Sequence, residues 1–513
     1  NIQLWFKHNF LNLKEMKNLK YLIYLSTIIV TFSCSELEEA PHGFLANDNF
    51  YSTEENVYSG LQYAYQASQR GDFYSMWINI GLLGVGQTDT KPSFTQRNAT
   101  QFRNWTFNSA TEALRSFFAG CYTGISRANT VIDNTDKIEF SAETLKNQYL
   151  GEAKFLRAFY YFYLVRLYGE VPVYTDAKNP NVTYETPVSS IQEIYDLIIA
   201  DLTFAAQNVP SFSIRGRADG NAAKGLLSKV YLHLASSKEY GSPKYDWVSD
   251  QSQMYALAAS NASQVLNSGT FALDTSVLHT FPDHNPSSKE KLFVWSSNPA
   301  TNNSTGMTGL HTTFSPYTWY SQFYTNEPLT GTIKPYWGGW TVAWYHSDKL
   351  ATHHQDDLRR ELYTSTTYGN ASGANPSNRS ENYNMKYFAN TQSFYSGDTS
   401  WPWLRTSDIA LVNAEAVGPT AEGYASINTI RNRAGLADLT PGMSRNDFIS
   451  AVWQEREWEL AMEGHLLFDI RRTKRVDSHV GSQVNFPYFH PLPQREVDLN
   501  NAIELDPEKE SLR

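Results

Sequence analysis

Cysteine is nearly absent from this chain. Two residues, Cys34 and Cys121, in 513 exclude a disulfide framework and any zinc site built on thiolates. Charge is sparse as well, at 18% of residues, and its balance of −10 is the wrong sign for nucleic acid, whose phosphates require a basic surface. With 41% hydrophobic residues the chain reads as globular rather than disordered. The apolar run Tyr21 to Phe32 falls short of the roughly 20 residues needed to cross a bilayer. Catalytic signatures are missing too: there is no HExxH, nucleophile elbow or Walker loop, and Gly81, Gly84 and Gly86 lack phosphate-loop spacing.

Aromatic side chains are what the chain has in excess. Thirteen Trp, 32 Tyr and 28 Phe make up 14% of it. Tyr and Trp pair a flat apolar face with a polar tip, which suits sugar rings and protein interfaces; aromatic packing between helices is expected to account for most of them.

The N-terminus reads as an address. From Met16 a short cationic stretch leads into the apolar run and then Ser33-Cys34, the layout of a secretory signal. A cysteine directly after the small residue points to lipoprotein processing with Cys34 lipidated. Residues 1–15 read as a misassigned upstream segment, 16–33 as the signal and 34–50 as a lipidated tether. Glu36, Glu38 and Glu39 follow the cysteine, as in surface-export tags, although a solvated tether needs no such purpose. The segment before Cys34 carries +3, so the remainder stands at −13, a balance that disfavours strongly anionic polysaccharides.

Beyond the tether, helical periodicity governs 51–270. Leu145, Tyr149, Ala153, Leu156, Tyr160, Tyr163 and Leu167 mark one face of a long helix ending at Gly169. Ser190 and Glu193 have capping-box spacing for a second, stopped by Pro210. A third is expected over Asn221–Ser236 and a fourth over Met254–Asn267. Small residues at crossings, such as Ala153, Ala222 and Ala258, suggest stacked hairpins in the tetratricopeptide style, without a clean 34-residue repeat. From about 270 to 405, Gly, Ser, Thr, Asn and Pro cluster, so irregular loops and a few strands are expected, Lys291–Ser296 among them. Helices return after Thr406, notably Arg445–His465. Cys121 lies in an apolar helical stretch, where a buried inert thiol is expected.

Motifs then fall in order along nearly the whole chain: Phe118 to Asn129; Glu152-Ala153-x-x-Leu156-Arg157-Ala158-x-Tyr160-Tyr161 through Leu167-Tyr168-Gly169-x-Val171-Pro172; and Gly216-Arg217-Ala218 with Ala222 to Leu232. Asp408 to Ala416, Ile427 to Leu436, Gln454-Glu455-Arg456-x-x-Glu459-x-x-x-Glu463-Gly464-His465, Phe468 to Arg472 and Pro491 to Glu496 complete the pattern. In these motifs the chain closely resembles the SusD/RagB-like outer-membrane nutrient-binding lipoproteins. It departs at Leu466, where Arg is usual, and at Thr406-Ser407, where Tyr-Ala is usual. The resemblance implies a mainly α, single large domain of tetratricopeptide-like hairpins with an irregular, loop-rich ligand-binding half, 51–270 and 271–513 being its two regions. It also implies a surface lipoprotein that captures oligosaccharide for a SusC-like TonB-dependent transporter, with no cofactor and no catalysis; peptide or glycoprotein capture by the same lid-on-barrel mechanism is the alternative.

Glu455 and Glu459 at helical spacing superficially resemble a glycosidase pair, but beside Arg471 and Arg472 they read as scaffold ion pairs. His353-His354-Gln355-Asp356-Asp357 is metal-like in composition, yet adjacent histidines diverge on helix or strand, so a solvated surface is expected. Trp319, Tyr320, Trp337, Trp340 and Trp344 lie in Gly/Pro-interrupted, polar-flanked sequence. A sugar ring needs a flat aromatic platform with Asp, Asn or Arg nearby, and these residues are the expected platform, with Trp401 a weaker candidate. Trp77 and Asp89 are expected in a loop after the first helix, a region that the family uses for ligand contact. Trp105 is expected to be structural.

Overall fold

The computed structural model describes residues 50–503 apart from 70, 91–98, 178–184, 213–215, 282–287, 296–309, 318–321, 327–330, 365, 369–371, 373–375, 378–380, 389–399 and 481–487. The signal at 16–33, Cys34, the acidic run and the platform candidates Trp319 and Tyr320 lie outside the described residues. Helices α1 (Glu54–Tyr65) and α2 (Gly71–Leu82) lead into strand β1 (Thr88–Thr90), followed by α3 (Glu112–Thr135), α4 (Glu143–Tyr168), α5 (Ile191–Asn208), α6 (Gly220–Glu239) and α7 (Gln251–Leu266). From α3 to α7 each helix packs on the next, as expected of stacked hairpins. Local signals set the ends. Thr53, Asp219 and Asp250 cap α1, α6 and α7 through their side chains, and Ser190 with Glu193 forms the expected capping box of α5.

The long helix α4 differs from expectation in one respect. Instead of burying one face it is buried on every side from Gly151 to Tyr168, Lys154 excepted. Besides its flanking helices, strands β2 (Lys291–Trp295) and β8 (Trp401–Arg405) lean on it: Phe293 meets Phe155 at 5.0 Å and Trp403 meets Phe159 at 5.5 Å between ring centroids. Much of the aromatic excess is spent here. Cys121 is free and buried, and burial pushes its thiol pKa up, leaving it inert.

Between β2 and β8 come β3 (Gln322–Asn326), β4 (Ile333–Trp337), β5 (Ala343–Tyr345), β6 (Thr367–Tyr368) and β7 (Pro376–Ser377). The antiparallel sheet order is β4-β3-β6-β7, while β1 pairs with β5 and β8 with β2. Helices α8 (Thr406–Val417), α9 (Ala421–Arg433), α10 (Arg445–Glu459) and α11 (Leu466–Arg472) follow, with a smaller core of Leu411, Ile427, Ile430, Phe448 and Val452.

The single helix expected over Arg445–His465 is broken. Lys386 Nζ donates to the carbonyls of Glu459 and Ala461, and Arg405 donates to that of Glu459, so buried cations satisfy the terminal carbonyls of α10. The chain then reverses through Met462 and Gly464, both at positive φ. A Cβ at Gly464 would sit 2.7 Å from the Trp77 ring, so only glycine fits there.

Candidate ligand-binding site

The motif carboxylates were the residues most open to a catalytic reading, and the structure ties each of them to a cation. Glu459 accepts from Arg405 at 2.6 Å and Arg359 at 3.1 Å, and also from Arg433. Glu455 pairs with Arg359 and Arg431, Glu463 with Arg405 and Lys386, Glu290 with Arg405 and Arg433, and Asp357 with Arg359. Five carboxylates thus meet five cations, and all of the carboxylates are buried. Burial opposes ionisation of Glu459, yet Arg433, Arg405 and Arg359 hold its carboxyl well below the usual range. Burial raises Glu455 despite Arg359. An acid/base pair needs access to substrate; these groups have access only to one another. The partners differ from those expected. Arg472 pairs with Glu415 and Asp469, and Arg471 faces His490 and the Arg166 carbonyl.

The histidine cluster also departs from expectation. His354 and Asp356 are solvent-exposed, but His353 and Asp357 are buried. His353 Nδ1 lies 3.2 Å from Asp357 and its Nε2 lies 3.1 Å from the Tyr345 hydroxyl. Among the described residues no group of three or more His, Cys, Asp or Glu side chains is placed to hold a metal.

Two of the aromatic candidates are corrected. Trp77 is not in a loop: it lies in α2, 1% exposed, stacked on Phe468 at 5.6 Å and edge-on to Tyr163 at 4.9 Å. Trp401 is 2% exposed and stacked on Tyr387 at 5.1 Å with the rings 4° from parallel. Strand β8 is buried along its whole length, so its alternate side chains meet protein on both faces. Both tryptophans are core. Trp105 is structural as expected, its indole donating to the Gly84 carbonyl at 2.7 Å.

Asp89 and Trp344 are brought together. Asp89 sits in β1 directly opposite Trp344 in β5, and antiparallel partners project from the same face. Their neighbours Thr88, Thr90, Ala343 and Tyr345 point the other way and are buried, whereas Asp89 and Trp344 are half-buried. Arg103, at the end of the short helix Ala99–Arg103, lies 3.9 Å from the Asp89 carboxylate and is equally accessible. An indole, a carboxylate and a guanidinium therefore share one accessible face.

Trp337 and Trp340 belong to the neighbouring strand region. Phe323, Thr325, Tyr336 and Thr367 form the buried face of the four-stranded sheet. The opposite face carries Ile333, Pro335 and Trp337 of β4, with Tyr324 of β3 and Tyr368 of β6, all half-buried. Trp340 packs near Tyr317 at 6.2 Å. Its backbone is pinned by a bond to the Thr312 carbonyl and by Gly339, where a Cβ would lie 2.3 Å from that same carbonyl oxygen. Sequence reasoning missed Arg103, Tyr324 and Tyr368. The alternation of Gln322-Phe-Tyr-Thr-Asn326 signals the tyrosine of β3; nothing local marks Arg103.

Comparison with known proteins agrees with the architecture. Residues 10–232 match a family model described as "Starch-binding associating with outer membrane", and 251–487 match the SusD family model. SusD-like protein P2 of Formosa agariphila is 25% identical, with 94% of this chain and 98% of that protein aligned. A SusD homologue of Bacteroides thetaiotaomicron superposes with a TM-score of 0.73 at 21% identity, covering 90% of this chain and 98% of that one. A laminarin-binding SusD-like protein gives 0.70 at 22%, covering 89% and 100%. A structure solved with xylogluco-oligosaccharide gives 0.70 at 19%, covering 86% and 97%. Helical scaffold, motif order and full-length likeness converge: the chain belongs to the SusD/RagB family of outer-membrane-associated proteins, which bind their ligands rather than act on them as enzymes.

Proposed function

We propose that the chain captures oligosaccharides at the cell surface and hands them to a SusC-like TonB-dependent transporter. The observation that carries this reading is the register of β1 and β5, which sets Asp89 against Trp344 with Arg103 beside them. The indole offers an apolar face to the C–H side of a sugar ring, and the flanking carboxylate and guanidinium offer an acceptor and donors to its hydroxyls. Trp337, Trp340, Tyr324 and Tyr368 supply further rings in the neighbouring strand region. Laminarin and xylogluco-oligosaccharide, named with two of the structural relatives, make neutral glucans the first ligands to try. Among the described residues no helix is long and apolar enough to cross a membrane; in this reading translocation belongs to the partner barrel. Lipid on Cys34 is the proposed anchor.

Titration calorimetry against a panel of neutral oligosaccharides, with chromatography of the mixtures, tests the reading. Saturable binding without cleavage is expected; binding confined to peptides, or a released product, would overturn it. The anchor has its own test. Cys34→Ala is expected to leave the protein in the soluble periplasmic fraction, and persistent surface display of that variant would contradict lipidation.

A further inference from the structure

A second ion network lies apart from the first, where α4, α6, α8, α10 and α11 meet. Asp408 accepts from Lys229 and from Arg456 at 3.0 Å. Asp469 accepts from Arg456 at 3.0 Å and Arg472 at 2.9 Å, and Glu415 accepts from Arg472. Three carboxylates meet three cations, and every partner is matched. Arg166, beside them, is the exception. It is 7% exposed, and no carboxylate of the described residues lies within ion-pair distance of it. Its guanidinium is held between the rings of Phe162 and Phe468, 3.6 Å from each centroid, while Nε donates to the Phe162 carbonyl at 2.9 Å. That arrangement fixes the plane of the group and leaves its charge without a matching anion.

The guanidinium borders a cavity of about 20 Å³, also lined by Lys229, Arg456, Arg472, Asp469 and His465. Such a space admits a single water-sized guest. Its wall carries four cations and one carboxylate, and the two carboxylates just behind the wall, Asp408 and Glu415, still leave one positive charge over. Burial first, and then the neighbouring cations, depress His465 and His233 well below the ordinary imidazole value, so neither ring adds charge of its own. Burying an unpaired charge is expensive, and a matching ion removes much of that cost.

We infer that this cavity is a binding site for one halide ion, chloride in the cell, held by Arg166 and Lys229 at the junction of the N- and C-terminal helices. It is separate from the proposed glycan face, since none of its lining residues belongs to β1, β5 or the four-stranded sheet. The ion's role is to lock the helices together.

Crystals of the unmodified protein grown or soaked in sodium bromide test this directly. A bromide anomalous peak against the Arg166 guanidinium is expected; water density without anomalous signal there would overturn the assignment. In solution, the unfolding midpoint is expected to rise by about 1–2 °C per tenfold increase in chloride above its dissociation constant, at ionic strength held constant with gluconate. Arg166→Met is expected to abolish that dependence whatever its own stability. Should Arg166→Met fail to fold, the crystallographic readout on the parent protein still decides.

Discussion

The packed core and the β1–β5 strand face of this molecule use the same residue types for opposite ends. In the packed core, tryptophan and arginine are enclosed by protein: Trp77 of α2 and Trp401 of β8 stack against other rings, and Arg359 and Arg405 each serve several carboxylates. Where β1 and β5 pair, a tryptophan and an arginine stand half-exposed around one carboxylate. The difference lies in what covers each residue. Core rings and guanidiniums are closed off by their neighbours, whereas Trp344, Asp89 and Arg103 keep part of their surface open to solvent.

Breaking the scaffold side should have the largest effect. Glu459→Ala removes one carboxylate partner from each of three buried arginines, and loss of one partner from a buried pair costs about 3–5 kcal/mol. The urea midpoint should fall accordingly, and a shift equivalent to less than about 1 kcal/mol would mean that the network is idle. Trp401→Ala sharpens the contrast among tryptophans. Removal of a buried stacked indole should cost about 3 kcal/mol, with glycan affinity of the folded fraction retained; weakened binding at full stability would return Trp401 to the ligand site.

Acid should act on the scaffold in a defined window. Burial opposes ionisation of Asp357, but His353 and Arg359 bring its carboxyl down to about 2. A carboxyl whose folded pKa is depressed contributes stability that is fully present above the unfolded value of about 4 and is lost as pH falls through the folded one. The loss should amount to about 2 kcal/mol between about pH 4 and pH 2, and Asp357→Asn should remove that share of the acid dependence. An unchanged acid limb in Asp357→Asn would place the effect on other carboxylates.

Much of the scaffold was legible in the sequence because its causes are local. Capping-box spacing at Ser190 and Glu193, a run of helical period ending at Gly169, and clustered turn residues after 270 each act within a few positions. Pairing across the chain was not legible. Glu459 finds Arg359 one hundred residues away, and Arg166 meets its cavity partners in α6, α10 and α11, while the sequence suggested only the adjacent Arg471 and Arg472. The tryptophans show the same limit. Trp344 and Trp401 both lie in the stretch with little helical period; one is half-buried on an accessible strand face and the other is core, and the difference is in what packs over them. Asp89 was legible as a residue type in a region that the family uses for ligand contact, but its position against Trp344 depends on a register set more than 250 residues apart along the chain.

The central claim, that the accessible face around Trp344 is where ligand sits, stands or falls on one titration. Calorimetry of Trp344→Ala against the best oligosaccharide for the parent should show affinity weakened roughly tenfold or more, since loss of stacking and of buried area together amounts to at least about 1.4 kcal/mol, with circular dichroism and urea midpoint unchanged. A folded Trp344→Ala protein that binds as tightly as the parent would contradict the account and leave Trp344 a packing residue.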